Sequence, residues 1–389
     1  MLPPALLVAG IFILIRPFVI IQINKVHDWR IGHMAATTQG TLEVHDWNLT
    51  HRRKKVILYF FGSRFSSNNF LKKLLMRDHF SLQNNWGFVL YYVCSKVPFL
   101  IAPTKYQTID MQGLFSKYHP PLRFSTEEIS VGNKFLSQFG LVPFDKFVCL
   151  NVRDDGYLEK TRGKRKFLKH TTRNSNISTY QTSAEFLAER GYIVFRMGVG
   201  AKEKLLSPHS RVIDYATNGM RTELLDIYLG AHCGFCISTC SGWDEIPKMY
   251  NRPVMLTNMV PILEINVLTR HVLIYPKQLI DLKTNQLLTL KAALERGLAN
   301  QSNSDHLQEN GVGVVDLTSD ELLAAAAEMS ARIEGTFVET PEQKQMQAKL
   351  KHVLSTHPKL QPTPNYYPIR AQFASCFLSY YPNFLDGLV

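Results

Sequence analysis

Phe235-Cys-Ile-Ser-Thr-Cys-Ser-Gly-Trp-Asp-Glu-Ile-Pro247 is an apolar strand that breaks into small polar residues where a helix should begin. A helix N-terminus presents unpaired N–H groups and partial positive charge, and Thr239, Cys240, Ser241 and Gly242 are small enough to let a phosphate approach the backbone. The stretch reads as an anion seat. Around it, Phe147-Val-Cys-Leu-Asn-Val-Arg153, Tyr192-Ile-Val-Phe-Arg196, Arg211-Val-Ile-Asp-Tyr215 and Pro253-Val-Met-Leu-Thr257 are short, apolar and rich in β-branched residues, with helical stretches between most of them. Strands alternating with helices predict a parallel sheet whose ligands lie at the carboxyl ends of its strands, where Asp154, Asp214 and Ser241 fall.

At 389 residues and 45% hydrophobic, the chain is long enough for two domains with full cores. Its 44 Lys+Arg against 32 Asp+Glu give a net charge of +12, which favours an anionic partner: a phosphorylated substrate, an anionic membrane surface or nucleic acid. The six cysteines show no framework spacing, and five of them lie in apolar or strand-like surroundings, as in a reducing compartment. Leu2–Ile15 is a nearly unbroken apolar run interrupted by Arg16-Pro17, shorter than the ~20 residues that span a bilayer. It reads either as a core helix leading into a first strand or as a segment resting in a membrane interface.

Four parts are expected: an apolar N-terminal segment (1–17), an α/β unit (18–140), a second α/β unit (141–345) and a C-terminal helical tail (346–389). In the first unit, strands are predicted over Phe18–Ile23, Val56–Phe61 and Trp86–Val93, with a helix over Asn69–Asp78. Thr126 caps a helix reaching Phe139, which bridges to the second unit with Leu141–Asp145. Thr318-Ser-Asp-Glu321 starts a helix over Ser319–Ile333. Further helices are expected from Pro341 to about Ser355 and over Ile369–Leu378.

Arg153 and Asp154 end the first strand of the second unit. A guanidinium there can clamp a diphosphate with two parallel hydrogen bonds and offset the charge of a departing nucleotide. Asp154-Asp155 before Gly156 reads as a turn more than as a metal cage. Arg173 stands beside Asn174 and Ser175, uncharged hydrogen-bonding groups that fix sugar hydroxyls or a helix start. The basic loop Lys160–Lys169 is too charged to pack, so it is exposed. Cys233 and Cys236 follow a helix and enter a strand, the wrong setting for a redox pair, and lack a second ligand pair for zinc. His33, in Arg30-Ile-Gly-His33, is placed to be a general base on an acceptor hydroxyl, with Asp28 and Asp154 as alternatives.

Two α/β units, an anion seat on the second and a base on the first describe a GT-B-like glycosyltransferase, two Rossmann-like units facing across a cleft. Arg30-Ile-Gly-His33, Cys149-Leu-Asn-Val-Arg-Asp-Asp-Gly-Tyr157, Arg173-Asn-Ser-Asn-Ile-Ser-Thr-Tyr180, Val212-Ile-Asp-Tyr-Ala216, Asp226-Ile-Tyr-Leu-Gly-Ala-His232 and Ser238-Thr-Cys-Ser-Gly-Trp-Asp244 resemble a family of bacterial surface-polysaccharide glycosyltransferases. More distantly, Val152-Arg153 and Thr239-Cys-Ser241 resemble α-1,6-fucosyltransferase-type enzymes, which are GT-B and metal-independent. That resemblance implies Arg153 near the donor diphosphate with Ser241-Gly242 beside it. Asn151 stands where those enzymes commonly have histidine, so the donor does not carry over.

The resulting expectation is a cytoplasmic glycosyltransferase, peripheral on the inner face of the cytoplasmic membrane, that moves a sugar from a nucleotide donor to a hydroxyl of a surface glycan or lipid-linked acceptor. The nucleotide sugar is a co-substrate, and no cofactor, metal or nucleic acid is required. Donor contacts are expected from Arg153, Arg173, Asn174, Ser175, Thr239, Ser241 and Gly242, with Asp244 or Glu245 on ribose hydroxyls. Arg153, Asp154 and His33 are the catalytic candidates. The rival is a basic non-catalytic protein that binds nucleic acid or anionic lipid through His51–Lys55 and Lys160–Lys169, with salt-sensitive affinity.

Overall fold

A computed structural model describes residues 1–62, 65–101, 113–157, 159, 168–262, 272–356 and 371–388. The chain folds as α/β around two parallel sheets. In the first, β1 (Val19–Val26), β2 (Lys54–Phe61) and β3 (Ser81–Leu82) lie in that order. Pairing runs from Val19 opposite Lys54 to Val26 opposite Phe61. Helices α1 (Leu2–Leu14), α2 (Ile31–Thr50), α3 (Asn69–Asp78) and α4 (Asn84–Cys94) flank this sheet. α4 overturns the strand expected over Trp86–Val93. Its aromatic, β-branched run has β propensity, but Leu90, Val93 and Cys94 are buried while Phe88 and Tyr92 are exposed, a helical spacing that packing against Ala5 and Ala9 of α1 stabilises.

The second sheet holds β4 (Phe147–Asn151), β5 (Ile193–Met197), β6 (Val212–Ile213), β7 (Phe235–Ser238), β8 (Val254–Met259), β9 (Val272–Pro276) and β13 (Gln372–Phe373) in the order β13-β9-β8-β7-β4-β5-β6. All its pairings are parallel. The strands β4, β5 and β7 are buried along their whole length, as parallel strands covered on both faces must be. A separate antiparallel sheet of β10 (Gln278–Asp281), β11 (Gln286–Leu287) and β12 (Val312–Val315) falls where the sequence shows only weak periodicity.

The C-terminal residues are more than a helical tail. β13 pairs with β9, and the following helix Ser375–Tyr380 starts against Glu328, whose carboxylate accepts the N–H groups of Ser375 and Cys376. Residues 369 and 370 of the expected last helix lie outside the described residues.

Helix α5 (Thr126–Ser137) joins the two units. Its cap is Ser125, one residue before the expected Thr126, in a reciprocal capping box with Glu128. Glu128 also accepts from Lys73 at 3.0 Å and Arg77 at 3.0 Å on α3. At its other end, Phe135 packs on Phe195 of β5, with ring centroids 5.7 Å apart. The helices α2 and α3 share one continuous hydrophobic cluster with the second sheet. A buried carboxylate with two cations and a cap should be costly to delete: Glu128→Ala is expected to lower unfolding stability by about 2–3 kcal/mol, and Glu128→Gln by less. Urea melts giving less than half that loss for the alanine variant would show the bridge to be peripheral.

Candidate functional site

The carboxyl ends of β4 and β7 are wired together. Thr239 N–H donates to the Asn151 carbonyl at 3.2 Å, and Thr239 Oγ1 accepts from Arg153 N–H at 2.8 Å. Asn151 donates through Nδ2 to Ser241 Oγ at 2.5 Å. Ser241 Oγ also accepts from Trp243 N–H at 3.2 Å and donates to Asp244 Oδ1 at 3.1 Å. Cys240 has φ of 56°, a left-handed setting unusual for a residue with a Cβ, and its carbonyl is held by Arg173 Nη2. Gly242 opens a helical turn continued by α6 (Glu245–Met249), so its N–H has no partner within that turn.

The two arginines expected at the donor come together here. Both are half-buried, and Arg153 Nη1 and Arg173 Nε are buried without hydrogen-bond partners. Burial, then the neighbouring Arg173, bring the Arg153 guanidinium down to about 10; Asp155 opposes this, and Arg30 at the start of the helix after β1 adds repulsion. The Ser175 N–H donates to the Arg153 carbonyl at 3.0 Å, and Asn174 Oδ1 is buried without a partner.

Other expected residues make contacts within the protein. Asp154 Oδ1 accepts from Gly156 N–H at 2.8 Å and Oδ2 from Lys202 N–H at 2.8 Å, so both oxygens close the loop. Glu245 forms a buried ion pair with Lys248 at 2.9 Å. Asp244 is fully buried under the turn, and burial raises its pKa. Asp214 pairs with buried Arg196 at 3.2 Å near the sheet edge. Cys233 and Cys236 are buried in the core. Of the basic loop, 160–167 lies outside the described residues.

Arg30-Ile-Gly-His33 is the start of the long helix α2, with Arg30 at the N-cap. A Cβ on Gly32 would stand 2.8 Å from Gly242 Cα and 2.9 Å from its carbonyl oxygen, so only glycine allows this approach of the two units. Arg30 stacks on Trp29 at 4.6 Å and its Nη1 meets His33 Nε2 at 3.1 Å. A guanidinium only donates, so Nε2 is the acceptor. Burial, then Arg30 and His27, hold the His33 pKa down to about 4. Asp28, at the carboxyl end of β1, is fully buried; Oδ2 pairs with Lys72 at 2.8 Å, and Oδ1 has no hydrogen-bond partner.

Sequence reading missed Lys277. It follows β9, whose strand signal was not recognised. Its Nζ donates to the Asn174 carbonyl at 2.7 Å and to Asp316 at 2.5 Å, and burial lowers its pKa. It braces the Arg173–Ser175 segment. Arg30 was quoted in its motif without a charge-bearing role.

No family model matches the chain, and no curated protein matches it. Among solved structures, the chain is similar to the ADP-heptose LPS heptosyltransferase II of E. coli, at 14% identity and a TM-score of 0.37 over 61% of this chain and 84% of that one. It is also similar to a glycosyl transferase family 9 protein from Veillonella parvula DSM 2008, at 11% identity and a TM-score of 0.45 over 80% and 97%. Likeness this loose assigns no residue its role.

The His33 setting has a pH signature. Its folded pKa of about 4 lies below the ordinary 6.5, so the unfolded chain binds the proton first as pH falls. The His33 contribution to stability is constant above pH 6.5 and is lost progressively between 6.5 and about 4. His33→Gln should therefore flatten the fall of Tm across that window; an unchanged slope would show that the imidazole is not held neutral.

Proposed function

We propose that the protein is a metal-independent glycosyltransferase of GT-B type that moves a sugar from a nucleoside-diphosphate donor to a hydroxyl of a glycan or lipid-linked acceptor. The observation that carries this reading is the pair Arg153 and Arg173, packed against the Thr239–Gly242 turn, each with a buried N–H lacking a partner. Like charges held together in a folded protein raise its energy unless an anion joins them. A diphosphate supplies that anion, and its charge grows as the sugar leaves.

In this reading the bond between the sugar and the diphosphate oxygen breaks, and the oxygen keeps the electron pair. Arg153 and Arg173 stabilise it together with the Gly242 N–H. The acceptor oxygen bonds the sugar carbon and gives its proton to a base on the first unit. His33 is a poor candidate, since its Nε2 lone pair faces Arg30 and its pKa is held down to about 4, which weakens it as a base. Asp28, at the carboxyl end of β1, is the alternative: one carboxylate oxygen has no hydrogen-bond partner, and it would serve once a bound acceptor reaches this buried, Lys72-paired carboxylate. Asn174 and Lys277 support the donor side through the Arg173–Ser175 segment, and Asp244 through Ser241.

A thermal-shift panel of nucleoside diphosphates and nucleotide sugars, run with excess EDTA, tests this reading. A ligand at about 100 times its Kd should add about 2.7 kcal/mol of stability. Arg153→Lys keeps the charge but loses the planar fork, so the shift should fall sharply while the ligand-free Tm changes little. Stabilisation by no member of the panel, or only when manganese or magnesium is restored, would overturn the proposal.

A further inference from the structure

One large surface, on the first sheet's outer helices, plays no part in the glycosyl-transfer reading. Helix α1 carries no charged residue, and Leu7, Ile11, Leu14 and Phe18 recur at helical spacing with exposures of 67%, 43%, 76% and 77%. Only the opposite side, marked by Ala5 and Ala9, is packed, against α4 and the first sheet. Leu2, Leu6 and Ile13 widen the exposed stripe. The neighbouring α4 is also without charge and exposes Phe88 and Tyr92. Phe99 extends the surface, with the Arg16 guanidinium 4.5 Å from its ring centroid. Monomeric soluble proteins rarely leave so many large apolar side chains contiguous in water.

Charge identifies the occupant. Residues 1–27 and 79–101 contain no aspartate or glutamate, while Arg16, Lys25 and Lys96 border the apolar face. Lys96 lies 4.7 Å above Tyr92 and Lys25 5.7 Å above Tyr91, the arrangement of long cationic side chains that lay their stems along aromatic rings and keep their heads in solvent. A second copy docking through the same face would bring these cations against themselves. α1 has 13 residues, about 20 Å of helix at 1.5 Å per residue, against a hydrocarbon core of about 30 Å. Among the described residues no helix is long and apolar enough to cross a membrane.

We propose that the α1–α4 face, with Phe18 and Phe99, docks in the plane of an anionic bilayer surface, its leucines and aromatic rings in the acyl boundary and Arg16, Lys25 and Lys96 at the headgroups. The first unit, which bears Asp28 and the start of α2, is thereby the membrane-bound half. This refines the proposed function by making a lipid-linked acceptor the substrate class that reaches the site from the bilayer. The apolar face supplies attachment, and the cations supply selectivity for negative lipid.

Flotation of the full chain with vesicles tests the docking. Binding is expected to phosphatidylglycerol–phosphatidylcholine vesicles, to weaken with added salt and to be much lower on pure phosphatidylcholine. The double variant Leu7→Glu, Leu14→Glu changes side chains already in solvent, so it should keep its Tm while losing about tenfold or more in vesicle partitioning. Lys96→Glu should give an intermediate loss that vanishes at high salt. No flotation, undiminished flotation of the double variant, or a dimer in vesicle-free solution that the double variant dissolves would each overturn the proposal. Nucleoside-diphosphate stabilisation should be unchanged in these variants, so failure of the docking face and failure of the donor site are read separately.

Discussion

Two glycine backbones hold the candidate site together. At Gly32 an added Cβ would lie inside contact distance of Gly242 Cα, and at Gly242 an added Cβ would meet the Gly32 nitrogen at 3.1 Å. Side chains at either position would separate the start of α2 from the turn after β7. With both absent, Arg30 comes near enough to Arg153 for their charges to be felt, and a helix N-terminus from the first unit adds its dipole to the region. The meeting of the units thus concentrates positive potential at one place.

Such a concentration opposes folding, and the surrounding structure offsets it by fixing each group locally. Thr239 and Asn151 tie the ends of β4 and β7, Arg173 gives one nitrogen to the Cys240 carbonyl, and Lys248 pairs with Glu245 within the helix that follows the turn. Asp154 closes its loop, and the neighbouring Asp155 offsets part of the Arg153 charge. The N–H groups left over on Arg153 and Arg173 are therefore held in place before any ligand arrives, which is the condition for electrostatic stabilisation without reorganisation. On the far side of the first sheet, α1 and α4 leave an apolar surface ringed by cations.

Much of this was legible in the sequence where local signals agree with tertiary demands. β7 and the helices Asn69–Asp78 and Ser319–Ile333 occupy the residues expected of them, because hydrophobic period and caps coincide there. Strand-end position brought Arg153 and the Thr239–Gly242 turn together in the sequence, whereas Arg173 was drawn in by its hydrogen-bonding neighbours Asn174 and Ser175. α4 could not be read, since a run of aromatic and β-branched residues becomes helical only when α1 covers one of its faces. β9, and with it Lys277, lacked a bounding turn signal. β13 is two residues long, and its partner is distant in sequence. The fates of Asp154, Glu245 and His33 were also hidden, because strand-end position shows where a side chain starts and not which backbone N–H, ammonium or guanidinium engages it.

The most direct measurement is a crystal structure of the chain with a bound nucleoside diphosphate, grown in the presence of EDTA. Phosphate oxygens within hydrogen-bond distance of Arg153, Arg173 and the Gly242 N–H, with no cation between them, are the expected result. Phosphates bound elsewhere, or a divalent ion on Asp154 and Asp155 when metal is supplied, would contradict the assignment.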